Sequence, residues 1–437
     1  MDKMVTVLGG GFAGVEAAWA VAQRGVRVRL YEMRPHKMTP AHKSGNLGEL
    51  VCSNSFKSDQ PTSPAGHLKW EMEQLGSLVI PTARKHAVPA GQALAVERDA
   101  FSAELTERIE SHPLIELIRE EVTCLPTERP LIVATGPLTS ESLSSEIAKL
   151  AGHEYLYFYD AVSPTVDAST INYDRVFKQS RYDKGEGDDY INCPFNKEEY
   201  QAFYQALVSA ELTPLRDFED PKFFEGCLPL EEIACRGERS MSFGPFKPVG
   251  LTDPHTGRRP WAVMQLRPED KQGRLYSLVA CQTRMTWPEQ KRVFHLVPGL
   301  ENAEFVRLGV IHRNTYIDSP RLLLPTLQYK EEPTMFFAGQ LVGVEGYIES
   351  AAAGLMAGIN AARLVSGKEA VTLPEQTVLG SLLAYITTVP DKHFAPMNAN
   401  WGLLPEEGTH TKDKTLRREK KLQSARTAFE NFMQELP

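Results

Sequence analysis

The chain of 437 residues lacks the features that would place it directly in a membrane or metal-binding class. No apolar run approaches the ~20 residues that a membrane helix needs, and the first residues lead into a predicted strand instead of an apolar signal region. The six cysteines include no C-x-x-C pair, which disfavours a zinc ribbon or a thioredoxin-type redox motif. We therefore expect no membrane partner, no metal site and reduced thiols in the cytoplasm.

An excess of positive charge is also missing, since the formal net charge is −8 at pH 7. The basic residues are unevenly distributed, however, and residues 409–437 carry seven Lys and Arg against four Asp and Glu. Most of these basic residues lie between Lys412 and Lys421. Charge alone favours a solvated helix face over a nucleic-acid surface, but a local basic surface can exist on an acidic protein.

The length predicts more than one domain, because single hydrophobic cores stop growing at roughly 250–300 residues. Strands and helices alternate over residues 1–162, whereas aromatics, prolines and alternating segments dominate from residue 163 to residue 309. The α/β pattern returns at residues 310–370, and residues 371–437 are helical and increasingly charged. We predict domain boundaries at these positions, with a mixed α+β insertion in the middle.

Apolar periodicity predicts the individual elements. Residues 35–64 are too rich in turn-forming residues for regular structure. Strands are expected at 5–8, 26–30, 131–134, 261–266, 275–282 and 334–338, and helices at 15–23, 65–75, 97–110, 140–151, 197–211 and 350–364.

The first turn of the chain has the pattern of a dinucleotide site. Residues 9–14 read GGGFAG and fit G-x-G-x-x-G between a predicted strand and a predicted helix. Gly9 makes the tight turn, Gly11 lets the backbone approach a pyrophosphate, and Gly14 permits close packing of helix on strand. Glu32 follows eighteen residues after Gly14, at the end of the second strand, where it would accept the ribose hydroxyls.

A second segment near the other end of the chain indicates flavin. Residues 336–340 form a predicted strand that runs into a glycine, and a helix rich in Ala and Gly follows. This segment is similar to the second part of two-part FAD folds, and Thr135-Gly136 is similar to the turn that crosses FAD in them. We predict a Rossmann-like FAD-binding α/β fold of the two-part type. The expected FAD contacts are Gly9, Gly10, Gly11, Phe12, Ala13, Gly14, Glu32, Thr135, Gly136, Gly339, Gln340, Gly346, Tyr347, Glu349 and Ser350.

With these elements placed, the whole chain resembles the bacterial folate- and FAD-dependent tRNA (uracil-54) C5-methyltransferase family. The resemblance covers nearly the full length. It rests on GGGFAGVEAA (9–18), YEMRP (31–35), GELVCSNSFKSD (48–59), FFEGCLPLEE (223–232), RGERSMSFGPFKPVGL (236–251), HRNTYI (312–317), FFAGQLVGVEGYIESAAAGLMAGINAA (336–362) and FAPMNANWGLLPE (394–406).

The resemblance implies a reaction and its cofactors. 5,10-Methylene-tetrahydrofolate supplies the carbon, reduced FAD carries it and supplies electrons, and NADH or NADPH reduces the flavin again. Two cysteines are implied: Cys227 as the nucleophile that adds to the uracil, and Cys52 as its partner near the flavin. Cysteine suits such an addition because its thiolate is strongly nucleophilic. Lys57, five residues after Cys52, would favour a thiolate there if it approached.

The substrate tRNA needs aromatic and basic contacts, since a uridine within a folded tRNA must leave its stack to react. The candidates are Arg284, Trp287, His312, Arg313, Tyr347, Lys412, Lys414, Arg417 and Arg418.

Other interpretations stay open on the sequence alone. The glycine motif and the second FAD segment also occur in the family of flavoproteins that modify the wobble uridine of tRNA. A general NAD(P)H-dependent flavin oxidoreductase without RNA, or a non-catalytic RNA-binding flavoprotein, would share the same nucleotide site. The segments GELVCSNS and GCLPLEE favour the C5-methyltransferase.

Overall fold

The computed structural model describes residues 4–151, 156–161, 163–183, 187–214, 228–270, 272–309, 311–388, 394–405 and 413–436. Within these ranges the strands are β1 (Met4–Leu8), β2 (Arg27–Tyr31), β3 (Ser55–Ser58), β4 (Ala87–Val88), β5 (Ala93–Val96), β6 (Ile115–Ile118), β7 (Leu131–Val133), β8 (Leu156–Ala161), β9 (Thr165–Asp167), β10 (Phe177–Lys178), β11 (Ile191–Phe195), β12 (Ala262–Pro268), β13 (Leu275–Leu278), β14 (Phe305–Arg307), β15 (Ile311–Tyr316) and β16 (Met335–Phe337). The helices are α1 (Phe12–Gln23), α2 (Pro64–Gln74), α3 (Val79–Lys85), α4 (Arg98–Glu110), α5 (Glu141–Ala151), α6 (Lys197–Val208), α7 (Leu230–Cys235), α8 (Ser240–Phe243), α9 (Trp287–Phe294), α10 (Ser319–Leu322), α11 (Tyr347–Val365), α12 (Val378–Thr388) and α13 (Lys414–Glu435).

A parallel sheet in the order β16-β7-β1-β2-β6 forms the centre of the first unit. Strands β7 and β16 are short apolar runs buried throughout, and β1 is buried except at Met4, as expected when helices cover both faces of a parallel sheet. β16 joins the sheet beside β7 although some two hundred residues separate them in the chain. The predicted Rossmann-like α/β fold is confirmed.

Helices α1 and α11 pack backbone against backbone on this sheet. A Cβ atom on Gly354 would overlap the carbonyl oxygen of Ala13, and one on Gly358 would lie 2.5 Å from the carbonyl oxygen of Ala17. The contact four residues further along α11 is also four residues further along α1, so the two helices run in the same direction. Only glycine allows the helix axes to come this close.

A second unit has its own sheet and its own core. The order is β10-β11-β12-β13-β9-β14, and the pairs are antiparallel. Its buried cluster runs from Val166 to Ala303, whereas the cluster of the first unit draws on residues up to Ile147 and from Tyr316 onward. The domain boundaries at residues 163 and 309 themselves stay a prediction.

Residues 35–64 are the clearest difference from the sequence-based prediction. They include β3, which pairs antiparallel with β5, so the prediction of no regular structure there was wrong. β3 depends on a partner almost forty residues away, and local composition carries no information on such a partner. Helix α11 also begins at Tyr347, earlier than predicted, because Gly346 supplies a φ of +119° immediately before it.

The C-terminal helices are tied to the first unit. The buried Glu71 on α2 accepts hydrogen bonds at 2.8 Å from the N–H groups of Val378 and Leu379, which start α12. Burial raises the pKa of Glu71 to about 8, although these two donors oppose the shift. α13 contributes Phe429 and Phe432 to the first core. No helix in the described ranges is long and apolar enough to cross a membrane.

We predict that Gly354→Ala destabilises the protein. The helix gains at most about 1 kcal/mol in propensity, but the added methyl overlaps Ala13, and overpacking of this kind costs about 1–3 kcal/mol or more. Urea unfolding should therefore show a lower free energy of unfolding. Lys368→Ala, at an exposed position just after α11, is the control that should leave it unchanged. Equal stability of both variants would contradict the close-packing argument.

Candidate active site

A cavity of about 400 Å³ lies where the glycine turn, the turn after β7 and the start of α11 meet. This volume is within the range of small-molecule and cofactor pockets. The segments that line it are residues 9–13, 32–34, 134–138 and 339–340, together with Thr39, Ala41, His42, Glu49, Val51, Cys52, Ser53, Ser55, Lys57, Gln282, Glu345, Gly346, Tyr347, Ser350 and Asn398.

The glycine turn has the geometry of a phosphate cradle. Gly9 has a φ of +98°, and a Cβ there would stand 2.5 Å from the carbonyl oxygen of Ala134. A Cβ on Gly11 would meet nothing within 4 Å, so the space beside this residue is open. No described side chain caps the start of α1, which leaves its first N–H groups for an anion. Gly14 does not line the cavity, since it packs against the backbone of Gly9.

Glu32 is held by a buried hydrogen-bond network at the end of β2. Its carboxylate accepts from the Gly10 N–H at 2.8 Å and from Arg34 Nε at 2.9 Å. Burial alone would raise the pKa of Glu32, but the hydrogen bonds and charge of Arg34 hold that pKa below its usual value. Arg34 is itself almost fully buried and also donates to Glu49. Sequence reasoning missed Arg34, although an arginine two residues after the acidic residue was visible in YEMRP.

Cys52 and Tyr347 meet at the cavity wall. The Tyr347 hydroxyl accepts from the Cys52 N–H at 2.8 Å and lies 2.9 Å from Cys52 Sγ. The tyrosine ring packs on Phe12, with ring centroids 4.9 Å apart. Burial raises the pKa of Tyr347 well above its usual value, and the nearby Cys52 adds to this. The hydroxyl is therefore neutral and fixes the loop that carries the thiol.

Lys57 lines the same cavity as Cys52. Its ammonium is 2.7 Å from Glu349 Oε1 and 3.2 Å from the Glu345 carbonyl oxygen, and the effect of its charge on the Cys52 thiol stays a prediction. Glu349 is completely buried and does not line the cavity. The pair links residues 55–58 to the start of α11.

Three largely buried charged residues, Arg98, Glu269 and Arg307, form a network that contacts the Cys52 loop at Leu50. Arg98 donates to the carbonyl oxygen of Leu50 at 2.7 Å and to Glu269 Oε2 at 2.5 Å. Arg307 lies 3.7 Å from the other oxygen of Glu269. Burial would raise the pKa of Glu269, but Arg98, then Arg307 and Arg267, lower it to about 2. Because 171 residues separate Arg98 from Glu269, no local pattern could have revealed this pair.

Of the remaining candidates, Arg284, Trp287, Arg417 and Arg418 do not line the cavity. Cys227 and Lys412 lie outside the described residues, and the side chains of His312, Arg313 and Lys414 do too. Arg284 pairs with Glu232 at 2.9 Å, and Trp287 is 61% exposed at the start of α9. Arg417 and Arg418 lie on α13. Lys421 of the same basic cluster is buried and donates to carbonyl oxygens of Trp401 and Leu404.

Known proteins resemble this chain over nearly its whole length. A family model described as glucose inhibited division protein A matches residues 4–369. Methylenetetrahydrofolate–tRNA-(uracil-5-)-methyltransferase TrmFO of Brevibacillus brevis is 54% identical over 99% of this chain and 98% of its own. The protein of that name from Geobacter sulfurreducens is 56% identical over 93% of both chains.

The chain belongs to the TrmFO family. The resemblance inferred from sequence motifs is thereby confirmed. Among solved structures, GidA of Aquifex aeolicus superimposes with a TM-score of 0.69 at 16% identity, over 99% of this chain and 74% of that one. This likeness shows a shared fold. The family membership agrees with the nucleotide cradle at residues 9–14.

We predict that Glu269→Gln lowers the free energy of unfolding at pH 7 by about 3–5 kcal/mol, because buried guanidinium groups lose their counter-charge. The pKa of Glu269 in the folded state, about 2, lies below the ordinary value of 4.5 for a glutamate. The stabilisation is therefore complete above pH 4.5 and is lost as the pH falls towards 2. Urea unfolding at pH 7 and pH 3 should show the gap between variant and parent narrowing. Glu146→Gln, in the exposed pair with Lys149, should change little.

We predict that Tyr347→Phe accelerates alkylation of Cys52 by up to about 10-fold. The substitution removes a hydroxyl that restrains the loop, and a hydrogen bond contributes about 0.5–1.5 kcal/mol. Rates measured by peptide mass spectrometry have internal controls, since Cys124 is exposed whereas Cys193 and Cys281 are buried. A slower reaction at Cys52 would mean that the hydroxyl activates the thiol and does not restrain it.

Proposed function

We propose that this protein transfers a methyl group to C5 of a uridine in tRNA, with methylene-tetrahydrofolate as carbon donor and FAD as carrier and reductant. The observation that carries the proposal is the 53–57% identity to proteins named methylenetetrahydrofolate–tRNA-(uracil-5-)-methyltransferase over nearly the full chain. The specific target, uridine 54 in the T-loop, is part of the proposal and rests on the resemblance of the motifs.

The residues around the cavity fit FAD. The open space at Gly11 and the uncapped start of α1 suit a pyrophosphate. We propose that Glu32, which lines the cavity and has a lowered pKa, accepts the ribose hydroxyls. A second helix, α11, begins at the cavity without a described side-chain cap. We propose that Thr135, Gly136, Gly339, Gln340 and Ser350 of the lining complete the contacts. When bound, reduced FAD would supply the route for the one-carbon unit and two electrons that make it a methyl group.

The uracil needs activation by the protein, because C5 is a poor nucleophile until a group adds to C6. We assign this addition to Cys227. Its thiolate forms a bond to C6, the C5–C6 electron pair shifts to give an enolate, and C5 takes up the one-carbon unit. Loss of the C5 proton breaks the bond between the one-carbon unit and its carrier and leaves an exocyclic methylene on C5. A hydride equivalent, the two electrons that reduced FAD would supply, then makes this carbon a methyl group as the thiolate departs and the ring is restored. Extrusion of the base from the T-loop must come first.

Cys52 is proposed as the second functional thiol. It lines the cavity, and Tyr347 fixes both its backbone N–H and its sulfur. A thiol that lines a cavity and is held in place by hydrogen bonds is more typical of a reactive cysteine than of one that only packs, since inert cysteines are usually buried. Cys193 and Cys281 have that inert character, because burial raises the pKa of both.

NADH or NADPH is proposed as the reductant of the flavin, on the resemblance alone. The basic residues Lys412, Lys414, Arg417 and Arg418 are proposed to contact tRNA phosphates, where each contact steepens the salt dependence of binding. Arg284, Trp287, His312 and Arg313 stay candidates for contact with tRNA or folate. The alternative that the sequence motifs left open is a flavoprotein that modifies the wobble uridine of tRNA, and the identity to the methyltransferases favours the C5 reaction.

The test is transfer of label from methylene-tetrahydrofolate to a tRNA transcript in the presence of FAD and a nicotinamide. We expect one labelled methyl group per transcript and no label when uridine 54 is replaced by cytidine. Omission of NADH or NADPH in turn identifies the reductant. Absence of label in the RNA under all conditions would refute the proposed function.

We predict that Cys227→Ala reduces methyl transfer to the background without enzyme, because the uracil is no longer activated. The matched control is Cys235→Ala, at an exposed free thiol eight residues further on, which should retain full activity. A tRNA containing 5-fluorouridine should give a covalent adduct with the parent and none with Cys227→Ala. Unchanged turnover in this variant would exclude the assigned nucleophile.

A further inference from the structure

Two exposed aromatic rings stand beside one cation on the second unit. Phe243, the last residue of α8, is 72% exposed, and Trp261, just before β12, is 36% exposed. The Arg239 guanidinium lies 4.7 Å from the ring centroid of Phe243 and 5.2 Å from that of Trp261. The Lys197 ammonium lies 5.7 Å from the Trp261 ring. We call these four residues the Arg239 patch.

The exposure of Phe243 is built into the local fold. Met241, two residues earlier, is completely buried, and Phe246, three residues later, stacks on Phe195 in the core of the second unit. The backbone on both sides of Phe243 is therefore anchored while its ring faces solvent. Among the large hydrophobic side chains that the structure describes, Phe243 is the most exposed. Burial of the ring against a partner would recover the free energy of removing it from water.

Cationic groups dominate the surface around these rings. Among the described residues of the segments that form and flank the patch, six exposed side chains are cationic and two, Glu198 and Glu238, are acidic; the cationic ones are Lys197, Arg236, Arg239, Lys247, Arg258 and Arg259. This excess of six cations over two anions contrasts with the net charge of −8 for the whole chain. The partner that such a surface fits is therefore an anion.

The patch is connected to the active-site cavity by a short element. Gln282 lines the cavity, and its carbonyl oxygen accepts from the Leu230 N–H at 2.7 Å. Helix α7 starts at this contact and spans roughly 9 Å at ~1.5 Å per residue before the chain reaches Arg236 and α8. Cys227, the assigned nucleophile, precedes α7 by three residues. An RNA arm that delivers a uridine to the cavity is large enough to cover both places.

We propose that the Arg239 patch binds the substrate tRNA, with Phe243 and Trp261 stacking on unpaired bases and Arg239 and Lys197 contacting phosphates. The inference rests on the proposed function, since it identifies where the same tRNA is held. Unstacked bases of RNA loops are recognised by aromatic rings and arginine planes, and a cation already aligned with two rings presents both kinds of contact. None of the four residues of the patch was among the substrate candidates selected from the sequence.

The test is the affinity for an unmodified tRNA transcript, measured by filter binding at two salt concentrations with the flavin-loaded protein. Phe243→Ala should weaken binding by about 5- to 100-fold, the effect of losing one stacked base. Phe243→Trp should restore it, because the ring is kept. Arg239→Gln should reduce the slope of log K against log salt by about one. Unfolding curves and flavin absorbance should match those of the parent.

The matched control is Arg108→Ala. Arg108 lies 5.2 Å over the Trp19 ring on the first unit, so its removal deletes a similar cation–ring pair at another place and should leave tRNA affinity unchanged. Parental affinity in Phe243→Ala and Arg239→Gln would overturn the proposal. A change of sedimentation coefficient in Phe243→Ala with tRNA affinity intact would assign the patch to a second copy and would also overturn it.

The two measurements test the two proposals separately: tRNA affinity tests the Arg239 patch, and methyl transfer tests the proposed reaction. If the patch variants lose affinity while the parent transfers no label, the surface is confirmed and the proposed reaction is refuted. If the parent transfers label and the patch variants bind normally, the reaction stands and the surface is refuted.

Discussion

The close contact between α1 and α11 is the constraint on which the rest of the first unit depends. Gly354 and Gly358 let α11 rest on the backbone of α1, and both helices point the same way. α11 begins seven residues before its contact with Ala13, whereas α1 begins one residue before it, which places the start of α11 about 9 Å beyond that of α1 at ~1.5 Å per residue. Two uncapped helix ends therefore border one cavity at different depths, as an elongated cofactor with separate phosphate and ring portions requires.

Around that cavity, loops supply the functional groups and buried charges fix the loops. Arg34 binds Glu32 and Glu49 together, Lys57 ties its loop to Glu349, and Arg98 connects the Cys52 loop to Glu269 on the second unit. The pairs of Lys57 with Glu349 and of Arg98 with Glu269 join segments distant in sequence. Buried ion pairs contribute little net stability but are costly to break. They restrict the lining to one arrangement, which suits the proposed reaction, in which a thiol, a flavin and a folate act at one site.

The sequence was sufficient where a pattern is local. The glycine turn, Glu32 and the helix after residue 346 were all identified from spacing, because strand, turn and helix signals lie within a few residues of one another. The ion pair that supports the Cys52 loop could not be predicted, since Arg98 and Glu269 come from different units and their pairing depends on the tertiary fold. The Arg239 patch could not be predicted from local patterns either. Its four residues come from three segments, and the tertiary fold brings those segments together.

The order of strands in the parallel sheet has a consequence for biosynthesis. β16 closes the edge beside β7, and α11 covers α1, yet both arrive more than three hundred residues after β1. The second unit lies between them in the chain, and its core is built from contiguous residues. During synthesis on the ribosome the second unit can fold first. At that stage the nucleotide cradle is incomplete, because β16 and α11 have not yet been made. Cofactor capture must therefore be a late event, and a truncated product ending before residue 335 would carry the glycine turn without the means to retain a flavin.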